Sequence, residues 1–161
     1  KEGRSILLIF NKWDLIKDKK AKERELLLQI KDSFFDAKGI NVLFVSSLEE
    51  TYKDKVLNKI ISVYINWNKK ISTSELNRWL EYFWKYSGNQ KYSGSLKFKY
   101  ISQSKIRPPT FSLYHNKNSK VPKVTRRYII NQIREAFKLE GTPIRVNLRS
   151  ADNPYIKKKN G

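Results

Sequence analysis

The chain has 161 residues with 34 Lys and Arg against 15 Asp and Glu, a net charge of +19, so its partners are expected among polyanions, chiefly nucleic acid. Zero cysteines exclude disulfides and thiolate metal sites, and one histidine, His115, excludes histidine clusters and is expected at the surface or a strand end. No apolar run approaches the roughly 18 residues of a membrane span and no signal peptide is visible, so a cytoplasmic location with no membrane partner is expected.

In chain order, the first element is the apolar run Ser5-Ile6-Leu7-Leu8-Ile9-Phe10, which predicts a buried strand of a parallel sheet. It ends in Asn11-Lys12-Trp13-Asp14, where open α/β sheets place their ligands. Asn-Lys-x-Asp resembles the guanine-specificity motif of GTPases. A carboxylate accepts two parallel hydrogen bonds, and guanine offers two adjacent donors that adenine lacks. A site that leaves its polar group unpaired with the wrong base discriminates by roughly 10⁴ or more. The resemblance implies that Asp14 reads that edge, that Asn11 reaches the other side of the base, and that the Lys12 stem covers one face. Taken alone, the tetrapeptide is equally a solvated strand-to-helix turn.

Lys22 to Phe35 predicts a helix, with Leu26, Leu27, Ile30 and Phe34 at helical spacing. Asn41-Val42-Leu43-Phe44-Val45 predicts a second strand, ending in Ser46-Ser47-Leu48. This resembles the Ser-Ala-Leu or Ser-Ala-Lys segment of GTPases, whose backbone N–H groups contact the guanine oxygen. Ser47 replaces the usual Ala, which matters little for a backbone contact. Val56, Ile60, Val63, Tyr64 and Trp67 mark a further helix. Strand, helix, strand, helix implies two parallel strands joined by a right-handed crossover, with both motifs converging on one base.

No Gly-x4-Gly-Lys-Ser/Thr string for phosphates occurs in the chain. With no methionine either, residues 1–71 are expected to be the last part of a P-loop GTPase sheet, an α/β fragment that binds nucleotide weakly and does not hydrolyse it alone. Residues 1–71 carry 15 Lys and Arg against 10 Asp and Glu, a net of +5, whereas residues 72–161 carry 19 against 5, a net of +14. That step suggests a half-domain over 1–71 and a small complete module over 72–161.

The second module starts on a capping box, Ser72 to Glu75, with Ile71 and Leu76 placed as a hydrophobic staple. Leu76, Trp79, Leu80, Phe83 and Trp84 line one helix face for core packing, and Ser87-Gly88-Asn89 ends it. Leu96 to Tyr100 and Thr110 to His115 alternate as strands, separated by Arg107-Pro108-Pro109. Thr125 to Lys138 predicts a helix with Ile129, Ile133, Ala136 and Phe137 inward and Arg126, Arg127, Arg134 and Lys138 outward, ended by Gly141. Ile144, Val146 and Leu148 mark a third strand.

Helix-strand-strand-helix-strand is an α+β layer and resembles a KH-like RNA-binding domain. Several strings in fixed order look like the bacterial double-GTPase family Der (EngA): Ser72-Thr73-Ser74-Glu75-Leu76-Asn77, Arg107-Pro108-Pro109-Thr110-Phe111, Arg126-Arg127-Tyr128, Arg134-Glu135-Ala136-Phe137 and Glu140-Gly141-Thr142-Pro143-Ile144-Arg145. The resemblance implies a parent with two GTPase domains and a C-terminal KH-like domain. That parent would bind GTP with Mg and assist assembly of the large ribosomal subunit. Its partners would be ribosomal RNA and its own neighbouring GTPase domains.

The connection from His115 to Thr125 lacks the Gly-x-x-Gly clamp of ordinary KH modules and offers Lys117, Lys120 and Lys123 instead. With Lys97, Lys99, Arg126, Arg127 and Arg134, these are the candidate RNA contacts, expected to give affinity with little sequence reading. Lys157-Lys158-Lys159 reads as a sticky tail rather than a site. Three function classes stay open: an enzyme fragment supplying base recognition, an RNA-binding module, and a regulatory domain whose basic face docks on a neighbouring GTPase domain.

Overall fold

The computed structural model describes residues 3–33, 40–88, 97–116 and 121–150. Phe34, Phe35, Asn89, Leu96, Lys117, Lys120 and Lys157 to Lys159 lie outside the described residues. The elements run β1 (Ile6–Phe10), α1 (Lys19–Ser33), β2 (Ile40–Phe44), α2 (Tyr52–Trp67), α3 (Thr73–Phe83), β3 (Phe98–Lys105), β4 (Thr110–His115), α4 (Lys123–Ala136) and β5 (Arg145–Ser150). They build two sheets. β1 and β2 pair in parallel, Ile6 opposite Ile40 through Phe10 opposite Phe44, so both strands deliver their carboxyl ends to the same edge.

The second sheet has the order β3-β4-β5, with β3 antiparallel and β5 parallel to β4. Register puts Ile101 and Val146 beside Leu113 and Phe111 on one face, and the apolar stripes of α3 (Leu76, Leu80, Phe83) and α4 (Ile129, Ile133) join them in one cluster. The five-element order expected from sequence is thus present, with both helices against the same face. α3 starts as its sequence dictates: the Ser72 hydroxyl accepts the Glu75 N–H at 3.2 Å, while Ile71 and Leu76 are buried as the staple requires. The aromatic stripe packs as core, with Trp79 stacked on Phe83 and Trp84 edge-on to Phe98.

Three expectations need correction. Arg134 does not face outward: it is 4 % exposed, donating from Nη1 to Asn131 Oδ1 and from Nη2 to the Thr142 carbonyl. A guanidinium that long can cap main-chain carbonyls from a helix face nominally solvated, and its two terminal amino groups donate there rather than to a phosphate. His115 ends a strand, one of its two expected places, and it is buried there, edge-on to Phe98 at 6.2 Å, because β4 is the central strand. α4 ends at Ala136, which is exposed, and Lys138 rather than Gly141 takes the left-handed turn just beyond it, with φ 51°. Tyr100 is exposed despite its alternation with Phe98, since a register shift between them breaks the two-residue period.

The two sheets are tied through specific polar contacts. Asn41 of β2 is 8 % exposed and donates to the Gly141 carbonyl at 2.7 Å. Lys69 donates to the Phe137 carbonyl at 2.8 Å, while within the first part Trp67 Nε1 donates to the Gly3 carbonyl at 3.2 Å. Gln103 of β3 spans the chain between α2 and α3, accepting from Ile71 N at 2.8 Å and donating to the Lys69 carbonyl at 2.9 Å.

Candidate functional site

Parallel pairing of β1 and β2 sets the loops that follow them side by side. The ladder continues past the strands: Val45 N donates to the Phe10 carbonyl at 2.9 Å, and Trp13 N to the Val45 carbonyl at 3.0 Å. Asn11 then stitches the loops, its Oδ1 accepting from Lys12 N at 2.8 Å and from Ser47 N at 3.0 Å. Lys12 adopts a left-handed backbone, φ 59° and ψ 37°, a conformation that costs a non-glycine residue about 1–2 kcal/mol. The Asn11 side-chain Oδ1, accepting from Lys12 N, holds it there. The turn Trp13–Leu15 follows, and the Trp13 indole lies on Phe44 with ring centroids 4.4 Å apart, fixing the loop over β2.

Both sequence motifs therefore meet. Asp14 is exposed, with no hydrogen-bond partner among the described residues. Ser46 is buried beneath the second loop, where its hydroxyl accepts from Leu48 N at 3.3 Å, while Ser47 and Leu48 are exposed. An exposed carboxylate on the loop after β1 can accept two parallel hydrogen bonds from a planar donor edge. One detail was not legible in the motif. The Ser47 N–H already points to Asn11, so any acceptor approaching it has to share that hydrogen or displace the Asn11 amide. Trp13 was also passed over, although an aromatic at the free position of Asn-Lys-x-Asp and a phenylalanine ending the neighbouring strand could have signalled their contact. No cluster of His, Cys, Asp and Glu among the described residues could hold a metal ion.

The basic candidates gather at one end of the second sheet. Lys97 and Lys99 are exposed where β3 pairs with the His115 end of β4, and that end leads into α4, with Lys123, Arg126 and Arg127 exposed on its first turns. Arg134 is not among them. Among the described residues no helix is long and apolar enough to cross a membrane.

Comparison with known proteins covers most of the chain. The family described as KH-domain-like of EngA bacterial GTPase enzymes, C-terminal, matches residues 70–149. GTPase Der of Rickettsia canadensis (strain McKiel) is 41 % identical over 159 residues, covering 96 % of this chain and 36 % of that relative. GTPase Der of Rickettsia prowazekii (strain Madrid E) is 40 % identical with the same coverage, and that of Rickettsia bellii (strain OSU 85-389) is 42 % identical, covering 35 % of its length. The chain thus spans about a third of the length of these curated relatives. The α3-β3-β4-α4-β5 layer coincides with the matched segment. Residues 70–149 accordingly belong to the KH-domain-like family of EngA bacterial GTPases, within a chain that matches the C-terminal region of GTPase Der.

Proposed function

We propose that residues 1–71 are the closing part of a P-loop GTPase domain that supplies guanine recognition. Residues 72–161 are a KH-like module that meets ribosomal RNA of the large subunit in an assembly factor. The observation carrying the first half is the Asn11–Ser47 hydrogen bond at 3.0 Å, which joins the two loops bearing the two motifs at one sheet edge. Asp14 accepts the guanine N1–H and exocyclic amine, Lys12 lies along the base, and the Ser46-Ser47-Leu48 loop meets the guanine oxygen. GTP and Mg belong to the whole protein, since the phosphate-binding string is missing from these 161 residues. By itself the half-site binds nucleotide weakly and turns none over.

Asp14→Asn in the full-length protein tests this. An amide in place of the carboxylate loses one acceptor and gains a donor, which suits xanthine with its carbonyl in place of the amine. GTP binding should fall at least a hundredfold while xanthosine triphosphate binding rises, with the melting temperature unchanged. Equal loss of both nucleotides would contradict the role given to Asp14.

The second half is supported by the exposed cations Lys97, Lys99, Lys123, Arg126 and Arg127 at one end of the KH-like layer. Such contacts act through counterion release, so each one removed should lower the slope of log affinity against log salt by about 0.7 to 0.9. With no Gly-x-x-Gly clamp, single-stranded RNAs of equal length should bind alike. Binding that ignores salt would favour docking of this face on a neighbouring GTPase domain.

A further inference from the structure

A second cationic feature lies at the opposite end of β4 from the connection that leads to α4. The chain between α2 and α3, the end of β3 and the β3–β4 turn enclose a cleft of about 690 Å³. Lys70, Lys105 and Arg107 reach it from these three segments, together with the hydroxyl-bearing Ser72, Thr73 and Ser104, and none of the described lining residues is acidic. Neither Lys70 nor Lys105 has an ion-pair partner among the described residues.

The walls are built rather than incidental. Gln103 clamps Lys69 and Ile71 to β3 through both amide atoms, so Lys70 is held between two fixed neighbours. Lys69 is drawn away to the Phe137 carbonyl, leaving Lys70 as the linker cation at the cleft. Ser104 Oγ donates to the Thr110 carbonyl across the turn, and the Arg107 guanidinium lies over the Trp67 ring, 5.6 Å from its centroid. A guanidinium held over an aromatic face keeps its planar fork available for a phosphate.

We propose that this cleft is an RNA-backbone site, in which Lys70, Lys105 and Arg107 neutralise consecutive phosphates of one strand. A strand favours these three over a small free anion, because long solvated cations gain chiefly by releasing the counterions of a polyelectrolyte. The proposal rests on the RNA-binding reading above but adds a contact at the other end of the sheet, beside the junction with α2. RNA bound at both ends would therefore run along the KH-like layer toward the guanine-recognising part.

Anisotropy titrations of the 161-residue chain with a labelled single-stranded RNA, at a series of potassium chloride concentrations, test it. Lys70→Gln/Lys105→Gln should lower the salt slope by about 1.4, two single-strand contacts, while Lys70→Arg/Lys105→Arg keeps the wild-type slope. Arg126→Gln/Arg127→Gln serves as the comparison at the other end. An unchanged slope in the glutamine cleft variant, alongside a reduced slope in the helix variant, would overturn the cleft site and leave the RNA reading standing. No salt-dependent binding by the wild type would overturn both. Equal loss in the arginine variant, or displacement of RNA by polyglutamate as readily as by unlabelled RNA, would also overturn it, the first by removing charge as the cause and the second by pointing to an acidic protein.

Discussion

At the residue scale, the position with the least freedom is Gly141. It sits at φ +66°, where side chains are rarely tolerated, and a Cβ there would collide with the Asn41 amide. Gly141→Ala should therefore cost about 2–4 kcal/mol, combining the left-handed penalty with overpacking, read as a lower urea midpoint. Asn41→Ala leaves the Gly141 carbonyl without that donor and should cost about 1–3 kcal/mol at unchanged m-value. Sequence revealed half of this pair. The glycine implied a left-handed turn, but it was assigned to helix termination, which Lys138 performs. Asn41 looked like the polar start of an apolar strand. Nothing local distinguishes such an asparagine from one that anchors a loop 100 residues away. Arg134 failed for the same reason: helical spacing gives its direction, whereas the Thr142 carbonyl that accepts from it belongs to tertiary structure.

At the element scale, the periodic elements were legible and their ends less so. α3 follows its capping residue and its apolar spacing closely, because Ser72, the Ile71–Leu76 staple and the aromatic face all favour one start and one orientation. What sequence did not reveal is the clasp from α3 to β3. Asn77 Nδ2 donates to the Ile101 carbonyl at 2.9 Å and its Oδ1 accepts from Ile101 N at 3.1 Å, so one side chain replaces a missing strand partner on that edge. Asn77→Ala strands both groups and should destabilise the second sheet by about 2 kcal/mol, whereas Ser72→Ala should cost only about 1 kcal/mol. Thermal melts of the two variants check the order. Ser72→Ala proving the more damaging would show that the helix start matters more than the clasp.

At the scale of the whole molecule, packing is uneven. Among the described residues the main core cluster draws only on residues 71–146, while α2 exposes Leu57, Ile60, Ile61, Tyr64 and Ile65, and β1 exposes Ile6 and Ile9. β1 also has an unpaired edge among the described residues, a template for another chain. The 161-residue chain should therefore self-associate with rising concentration, and amides of β1 and β2 should exchange faster than those of β3 to β5. Sedimentation showing a monomer throughout, with uniform protection from residue 5 onward, would contradict both expectations. The proposed guanine half-site would give the two motifs one chemical task. Its most direct test is amide chemical-shift mapping of this chain with millimolar GDP and, separately, ADP. GDP should move the amides of Asn11 to Asp14 and Ser46 to Leu48 without saturating them, and ADP should leave them in place. Equal shifts with both nucleotides, or GDP shifts confined to other residues, would contradict the account.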